Sequence, residues 1–498
     1  LWTAMKAVYS SQIPGRDDYE LAETYFNSIT RRIFTTVGVD PNIEFVDSDF
    51  EAPPPEPREA VCTTFEGPLD PESLLAAIVP GEWCGGHWRD AADDALQAGL
   101  QLRARLRELG LPEMVDRAEM VASVFFRRKG AYLIGRVFSG GAAVPLALAL
   151  LNGPDGITVD AVLTDEDDIS ILFSFTRSHF HVDWAAPGPL LRYLKLLMPK
   201  KPVAELYIAL GHHKHGKTEL YRDLLRHLRG SEQSFDLAPG TPGMVMIVFT
   251  MPGYDVVLKV IRDHFPAIKP MTPGAVRENY HLVFRHDRAG RLVEAQEFEH
   301  LEFDRARFTP RLLEEFARDA DRSVAVEPDK VVVHHAYLER RVDPLDVYLG
   351  EADAEAARAA VVDFGQAVKD LAANNIFPGE LLPKNFGLTR HSRVVCYDYD
   401  ELGLLTDFTF RELPESQSPD DDLSEEAWFG VGPRDVFPAE LARFLGLPPA
   451  LAALLHEAHP DLYRVDFWTG MQERVRRGEL IDIYPYPPAR RLRPDAGG

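Results

Sequence analysis

Four side chains in the last quarter of the chain have the types and spacing needed to hold a metal-bound phosphate. Glu380 and Asn385 lie in FPGELLPKN, and Asp398 and Asp400 lie in YDYDE at the end of the apolar run RVVCY. Carboxylate and amide oxygens bind Mg²⁺ and Mn²⁺, and a carboxylate can accept the proton of a hydroxyl that attacks phosphorus. We therefore expect Asn385 and Asp398 to bind a metal and Glu380 to orient the hydroxyl. A polar turn after a buried strand is the competing interpretation of YDYDE.

An earlier group of residues is suited to contact the phosphates of a nucleotide. Residues 238–244, APGTPGM, place two glycines at the start of an apolar strand, and the next apolar strand, DVVLKVI, contains Lys259. Thr272 and Pro273 then predict the N-cap and first residue of a helix. Glycines let a backbone lie close over phosphates, and a lysine neutralises their oxygens. This order is typical of the small lobe of a protein kinase, although the loop lacks a full GxGxxG and a strand lysine is commonly only solvated.

The two groups follow each other in the order of the two kinase lobes. Glu380 and Asn385 have the acidic-x-x-x-x-Asn spacing of a kinase catalytic loop. Between the groups, VVVHHAYLERR predicts a strand that leads into a hinge at residues 338–341, where Glu339 could contact adenine. The combined order and spacing favour a kinase over a set of unrelated turns.

Composition restricts the partners and the cellular compartment. The 498 residues predict two to four domains at roughly 100–200 residues each, and 45% of them are hydrophobic. The formal net charge of −24 argues against nonspecific binding to nucleic acid or to an anionic membrane. No apolar run approaches the ~18 residues of a membrane span, and LWTAMKAVYSSQ lacks a signal-peptide pattern. Cys62, Cys84 and Cys396 form no CxxC, which indicates a reducing compartment without a disulfide framework or a structural zinc site.

Hydrophobic periodicity divides the chain near residue 230. Helices are predicted at residues 91–109 and at residues 18–35, where the apolar stripe contains Leu21, Tyr25, Ile29 and Ile33 and is widened by Phe26 and Phe34. Short strands and turns at 121–184 predict an antiparallel meander, and two or three helices follow at 188–229. Residues 52–57 predict an exposed connector, residues 230–243 a domain boundary, and residues 418–428 a solvated acidic loop. Beyond the boundary, two strands and a helix precede a mostly helical C-terminal half.

Long segments of the sequence resemble the isocitrate dehydrogenase kinase/phosphatase family. The resemblance runs from about residue 20 to residue 485, and its segments are more distinctive than general kinase motifs. They are ETYFNSITRRIF, HGKTELYRDLL, APGTPGMVMIVFT, HDRAGRL, QEFEHLEF, YLERRVDPLDVYL, ANNIFPGELLPKNFGLTRHSRVVCYDYDE and WFGVGPRDVFPAEL.

The resemblance implies an α+β chain with two parts. A regulatory domain of helices and a small antiparallel sheet would span residues 1–230. A bilobal protein-kinase-like domain would span residues 231–498, with a small lobe at about 231–338 and a large lobe at about 339–498. One active site would serve kinase, phosphatase and ATPase activities on a serine of isocitrate dehydrogenase in the cytoplasm. This would switch carbon between the citric acid cycle and the glyoxylate bypass, under control of an AMP-type allosteric nucleotide.

The resemblance also assigns roles by matching position. ATP or ADP would bind with Mg²⁺ or Mn²⁺, which Asn385 and Asp398 would hold. Asp400 would support the phosphatase step, and Glu294 and Glu380 would be catalytic carboxylates. The residues assigned to ATP are Ala238, Pro239, Gly240, Thr241, Pro242, Gly243, Met244, Lys259 and, at the hinge, Glu339.

Three positions depart from the family pattern. Glu380 and Glu294 stand where the family has Asp, and Pro383 replaces the aromatic residue of the family motif PGDMLFKN. A glutamate extends its carboxylate by roughly 1.5 Å, and a displacement of about 1 Å can cost on the order of 100-fold in rate. An alternative is therefore a weakened kinase or pseudo-kinase that binds nucleotide and isocitrate dehydrogenase without efficient transfer.

Two further motifs compete for the nucleotide or a metal. Residues 211–218, GHHKHGKT, satisfy GxxxxGK[ST], so a P-loop NTPase using Lys217 is a second alternative, with LYIAL as its strand. No Walker-B strand follows, and a basic loop capping a helix would explain the motif equally. His179, His181 and Asp183 alternate as metal ligands can, although any half-buried strand shows the same period.

Overall fold

The computed structural model consists of two compact units. Unit 1 comprises Leu1–Gly230 together with Tyr484–Gly498, and unit 2 comprises Ser231–Ile483. The structure describes the whole chain except residues 35, 47–59, 82–84, 175–177, 185, 241, 268, 270, 287, 415–428, 482 and 494–498. The predicted connector at 52–57, the acidic loop at 418–428, Thr241 and Cys84 therefore lie outside the described residues. The segment from residue 484 onward, which we predicted in the second domain, belongs to unit 1.

Unit 1 is built on one antiparallel sheet with a hydrophobic cluster on each face. In the strand Ala142–Gly153, Leu146 and Leu148 lie in one cluster and Ala147 and Ala149 in the other, because successive side chains point to opposite faces. Its described helices are α1 Trp2–Gln12, α2 Tyr19–Phe34, α3 Pro71–Ile78, α4 Ala91–Glu108, α5 Glu166–Leu172, α6 Pro187–Leu197, α7 Val203–Ala209 and α8 His213–Gly230. Its described strands are β1 Cys62–Leu69, β2 Val115–Val121, β3 Phe125–Arg127, β4 Gly130–Ser139, β5 Ala142–Gly153 and β6 Gly156–Leu163. They pair in the order β1-β2-β4-β5-β6, with β3 beside β4.

Two details of the predicted unit 1 are wrong. The predicted meander extends to residue 184, but the observed one ends at Leu163. The next element is the helix α5, whose first turn is acidic and therefore favours a helix start. The helix α2 is confirmed, but part of its predicted apolar stripe is wrong, since Tyr25 is 64% exposed and Ile33 is 56% exposed, while Phe26 is buried as predicted. Phe26 contacts the ring of Trp2, with 5.7 Å between centroids, and this contact sets the buried face.

Unit 2 has a sheet-rich part followed by a helical part. Its described strands are β7 Asp236–Leu237, β8 Met246–Thr250, β9 Val256–Ile261, β10 Ala295–Asp304, β11 Val324–Val326, β12 Lys330–Arg340, β13 Asp343–Pro344, β14 Ile376–Phe377, β15 Phe386–Leu388, β16 Val394–Cys396, β17 Gly403–Leu404, β18 Thr409–Phe410 and β19 Asp435–Val436. Its described helices are α9 Pro273–His286, α10 Pro310–Asp319, α11 Leu345–Glu351, α12 Ala354–Ala373, α13 Leu441–Phe444, α14 Pro449–Ala458 and α15 Val465–Arg476.

The sheet of unit 2 positions the predicted nucleotide residues. The strands pair antiparallel in the order β10-β12-β9-β8-β7, with β11 beside β12. The loop between β7 and β8 carries the glycines, and β9 carries Lys259. Small ladders, β13-β15-β16 and β14-β17, hold the loops with Glu380, Asn385 and Asp398. Helices and antiparallel sheets are thus mixed in both units, which confirms the predicted α+β class.

The last described residues of the chain form a buried polar cluster on β6. The Arg491 guanidinium donates Nη2–H to Asp160 Oδ1 at 2.8 Å and Nε–H to Oδ2 at 3.1 Å. The Tyr486 hydroxyl donates to Asp160 Oδ2 at 2.8 Å, and Leu492 N–H donates to the Asp160 carbonyl at 2.7 Å. These contacts fix the C-terminal segment as part of unit 1.

Replacing Arg491 by Ala should destabilise unit 1, because it leaves the buried Asp160 carboxylate without its cation. Removing one partner of a buried ion pair costs about 3 kcal/mol or more. We expect faster hydrogen exchange at the amides of β5 and β6. Arg464→Ala, which removes an exposed pair with Asp466 in unit 2, is the matched control. Equal exchange in both variants would contradict the cluster's importance.

Candidate active site

The glycine loop is an exposed turn anchored at one point to the strand that carries the lysine. Ala238 N–H donates to the Val248 carbonyl at 2.9 Å, which closes the β7–β8 hairpin. Arg262, directly after β9, donates Nε–H to the Gly243 carbonyl at 3.1 Å and also pairs with Glu315 at 2.7 Å. Gly240 has φ +110°, a conformation that favours glycine. The described loop residues Pro239, Gly240, Pro242, Gly243 and Met244 are all exposed, as a backbone that covers phosphates must be.

Lys259 forms a buried ion pair with Glu339. Their strands, β9 and β12, are neighbours with Lys259 opposite Tyr337, so the side chains of Lys259 and Glu339 lie on the same face of the sheet. Lys259 Nζ is 2.8 Å from Glu339 Oε2, and the two residues are only 5% and 2% exposed. Burial raises the pKa of Glu339, and the lysine charge opposes that rise.

Helix α9 supports this pair through Tyr280. The Tyr280 hydroxyl donates to Glu339 Oε1 at 3.1 Å, and its ring stacks on Tyr337 with 3.7 Å between centroids. In a kinase the helix of the small lobe supplies the glutamate that pairs with the strand lysine. Here the glutamate comes from a neighbouring strand, and the helix contributes a hydroxyl to it. Glu339 therefore lies beside Lys259, and its predicted contact with adenine stays a prediction.

The lysine is also linked to the predicted metal-binding loop. Lys259 Nζ donates to the Tyr397 carbonyl at 2.7 Å, and Tyr397 N–H donates to the Asn385 carbonyl at 3.1 Å. Asn385, in a short 3₁₀ helix, then donates Nδ2–H to the Glu380 carbonyl at 3.2 Å. One chain of hydrogen bonds thus joins the lysine strand, the segment before Asp398 and the loop that carries Glu380.

Asp398 and Asp400 form a crowded acidic turn after β16. Asp400 N–H donates to Asp398 Oδ1 at 3.3 Å, and Asn279 of α9 donates to the Asp400 carbonyl at 2.6 Å. Burial and the negative charge of Asp398 raise the pKa of Asp400 to about 8, while Lys259 and Lys269 oppose this rise. Two carboxylates that resist ionising together are an arrangement that a divalent cation would relieve.

The donor set fits a metal ion that also binds phosphate. In the part of the chain that the structure describes, no three His, Cys, Asp or Glu side chains are grouped to hold a metal by themselves. Mg²⁺ commonly uses one or two protein carboxylates together with phosphate oxygens and water. Asp398 is half-buried and Asn385 lies in the adjoining loop, so these two residues could hold such an ion against a nucleotide.

Glu294 is carried by a segment that runs beside β16. Cys396 N–H donates to the Arg291 carbonyl at 2.7 Å, and Val293 N–H donates to the Cys396 carbonyl at 3.0 Å. This pairing brings the backbone of Glu294 to the strand that ends two residues before Asp398. Glu294 Oε1 accepts a hydrogen bond from Gln296 Nε2 at 2.6 Å, and its catalytic role stays a prediction.

Three supporting residues were missed by sequence reasoning. Tyr280 was not among the predicted site residues. Arg291 is buried and pairs with Asp363 and Asp370 of α12, and Lys269 contacts the Glu380 side chain. Nothing in local sequence distinguishes a buried arginine or a bridging lysine from an ordinary surface cation, because their partners lie far away along the chain.

The P-loop alternative is wrong for this chain. LYIAL lies largely in the helix α7 and not in a strand, and Gly216, Lys217 and Thr218 lie inside the helix α8. The Thr218 hydroxyl donates to the Lys214 carbonyl at 3.0 Å, as helical threonines do. A side chain on Gly216 would approach Ile208 Cγ1 to 2.4 Å, so this glycine allows α7 and α8 to pack closely.

The HxHxD motif is not part of a strand either. His181 forms an isolated bridge with Phe126, and its ring lies 4.9 Å from that of His179 between centroids. Among the described residues, these side chains belong to no grouped set of metal ligands.

The fold and site of unit 2 define a protein-kinase-like phosphotransferase unit. Its small sheet carries a glycine loop and a buried lysine, and its helical part carries the asparagine and aspartates that kinases use with a metal. The comparisons with known proteins place the chain more narrowly. Residues 1–232 match the regulatory domain and residues 233–488 the kinase domain of isocitrate dehydrogenase kinase/phosphatase (AceK). The chain belongs to this family.

Curated relatives agree with the family assignment. The chain is 48% identical over 492 residues to isocitrate dehydrogenase kinase/phosphatase of Anaeromyxobacter sp. (strain Fw109-5), covering 99% of this chain and 85% of that protein. It is 46% identical over 507 residues to the protein of the same name from Anaeromyxobacter dehalogenans (strain 2CP-C), covering 99% and 86%.

Solved structures resemble half of the chain more distantly. A co-crystal structure of WbdD with the kinase inhibitor LY294002 matches 50% of this chain and 46% of that one, at 10% identity and a TM-score of 0.25. The ROP18 kinase domain in complex with AMP-PNP and sucrose matches 50% and 82%, at 11% identity and a TM-score of 0.25. At these scores the likeness assigns no role to any residue.

Replacing Lys259 by Met should weaken ATP binding at least about tenfold, because it removes the cation for the phosphates and leaves Glu339 buried without its partner. Calorimetric titration of ATP with MgCl₂ would measure this, with circular dichroism to check folding. Lys217→Ala is the matched control and should bind ATP normally. Loss of binding in Lys217→Ala but not in Lys259→Met would contradict the assignment.

Proposed function

We propose that this protein phosphorylates a serine of isocitrate dehydrogenase with ATP and dephosphorylates the same residue at the same site, with ATPase activity. The family assignment supports the substrate, since both relatives above carry this name. The observation that best supports the site is the hydrogen-bonded chain from Lys259 through Tyr397 and Asn385 to Glu380. It joins the phosphate-binding lysine to the loop that would receive the substrate hydroxyl.

In the forward reaction, the residues position the nucleotide and accept one proton. Residues 238–244 cover the phosphates, and Lys259 neutralises their oxygens. Asn385 and Asp398 hold Mg²⁺ or Mn²⁺, which supplies charge neutralisation to the phosphates when bound. The serine oxygen attacks the γ-phosphorus, the bond from this phosphorus to ADP breaks, and Glu380 accepts the hydroxyl proton. Catalysis here is mainly positioning and electrostatic stabilisation.

In the reverse reaction, Asp400 positions water or the phosphoryl group at the same site in the presence of ADP. Its place beside Asp398, on a turn held by Asn279, supports this role. Glu294 would contribute a second carboxylate from the segment next to β16.

We assign the protein to the cytoplasm, where it would direct carbon between the citric acid cycle and the glyoxylate bypass. The free thiols of Cys62 and Cys396 support a reducing compartment. Within the described residues, no helix has both the length and the apolar character of a membrane span.

The test is transfer of labelled γ-phosphate from ATP to purified isocitrate dehydrogenase, followed by its release on adding ADP. Both steps should fall by at least about 100-fold in Asp398→Ala, because the metal ion that would bind the phosphates loses a carboxylate ligand. Asp407→Ala, an exposed aspartate that pairs with Arg434 away from the loop, is the control. Full transfer in Asp398→Ala would refute the site. Transfer that is weak in the unaltered protein but rises in Glu380→Asp would favour a weakened kinase.

We also propose that an AMP-type allosteric nucleotide binds a cavity in unit 1. The cavity has a volume of about 1010 Å³ and is lined by Phe126, Trp184, His179, His181 and His212, among others. Aromatic side chains can stack on a base, and histidines can donate to a phosphate.

Calorimetric titration of AMP should show at least about tenfold weaker binding to Trp184→Ala, because stacking of a base on an aromatic ring contributes ~1–3 kcal/mol. The control is Trp468→Phe, a residue buried in the core of unit 2. Unchanged AMP affinity in Trp184→Ala would place the allosteric site elsewhere.

A further inference from the structure

A lysine outside the predicted site holds the carboxylate of Glu380. Lys269 Nζ is 3.1 Å from Glu380 Oε1 and also contacts Glu401 Oε1. The Lys269 side chain is 11% exposed, whereas the two glutamate side chains are about one-third exposed. The cation is therefore more enclosed than either acid, and it lies between them.

Backbone hydrogen bonds link Lys269 to described residues on both sides. Lys269 N–H donates to the Pro266 carbonyl at 2.9 Å, and Met271 N–H donates to the Lys269 carbonyl at 2.8 Å. On either side, Phe265 and Met271 pack against the core of unit 2. Lys269 thus lies between β9 and α9 and is linked to described residues that pack against the core.

The two acids meet because two loops approach closely. Gly379 has φ +82°, and a side chain there would come within 2.4 Å of the Glu401 carbonyl oxygen. This approach sets Glu380 next to Glu401, and two adjacent carboxylates repel each other unless a cation lies between them. Lys269 supplies that cation from the opposite part of unit 2.

Lys269 also fixes the position of the Glu380 side chain, which the hydrogen bond from Asn385 does not fix. Asn385 Nδ2–H binds the Glu380 carbonyl and so fixes its backbone, but the side chain of a glutamate still rotates about three bonds. A catalytic carboxylate displaced by about 1 Å can lose on the order of 100-fold in rate. The contact with Lys269 selects one position for this carboxylate.

We propose that Lys269 is a positioning residue for Glu380, and that the length of the glutamate side chain is what allows its carboxylate to reach the lysine. This inference rests on the proposed role of Glu380 as proton acceptor. An aspartate at this position would end roughly 1.5 Å short of the lysine. Lys269 Nζ lies 3.1 Å from the glutamate oxygen, so the oxygen of an aspartate would lie beyond hydrogen-bond range. The contact therefore requires both the lysine and the length of the glutamate.

The experiment is a double-mutant cycle on phosphate transfer to isocitrate dehydrogenase. Lys269→Met should lower kcat about 10- to 100-fold with little change in the KM for ATP, because positioning is lost and binding is not. Lys269→Arg, which keeps the charge, should recover most of this loss. In a Glu380→Asp background, Lys269→Met should lower kcat less than about threefold, since the contact is already absent.

Lys330→Met provides the matched control, because Lys330 also lies between two glutamates, Glu302 and Glu327, but on β12 at the surface. Its kcat should equal that of the unaltered protein. Equal losses from Lys269→Met in both backgrounds, or a raised kcat in Lys269→Met, would overturn the positioning role. Glu380→Gln separates the proposed role of Glu380 as proton acceptor from the positioning role of Lys269. Undiminished transfer in Glu380→Gln would remove the role of Glu380 itself. Lost transfer in Glu380→Gln together with normal kcat in Lys269→Met would overturn only the positioning role of Lys269.

Discussion

The buried ion pair between Lys259 and Glu339 is the interaction on which the arrangement of unit 2 depends. A buried charge is costly unless it is paired and hydrogen-bonded, so each partner requires the other at 2.8 Å. Their shared face exists only while β9 and β12 keep their register. The Tyr280 hydroxyl ties helix α9 to the same carboxylate, and the Tyr397 carbonyl ties the loop before Asp398 to the same ammonium. The sheet, the helix and the loop before Asp398 are therefore aligned by one pair of charges.

A second constraint is the concentration of acids around that pair. Asp398, Asp400, Glu380 and Glu401 come from loops that converge at the ends of β14, β16 and β17 in a chain of net charge −24. Their repulsion is visible in Asp400, whose pKa is raised by burial and by Asp398. Lysines 259 and 269 offset part of this charge from the small-sheet side. The site is thus prepared for further positive charge, which a divalent cation would bring.

Local patterns served well where the signal was contained in a short segment. The glycine loop, the strand of Lys259, the helix after Thr272 and the α+β class were predictable, because hydrophobic period, turn residues and caps act over a few positions. The same methods failed where packing decided the outcome. The buried face of α2 depends on contacts such as that of Phe26 with Trp2. GHHKHGKT matched a nucleotide motif, but its glycine serves the packing of α7 on α8.

The sequence by itself determined the types of the chemical groups, their order along the chain and the family to which the chain belongs. It also showed that glutamate stands at position 380, with a longer reach than the family's aspartate. Only the tertiary structure decided which charges meet: Glu339 with Lys259, Arg291 with Asp363 and Asp370, and Lys269 with Glu380. These partners are separated by 72 to 111 positions. Charge pairing at that separation leaves no local pattern, because it arises from the meeting of loops and strands in three dimensions.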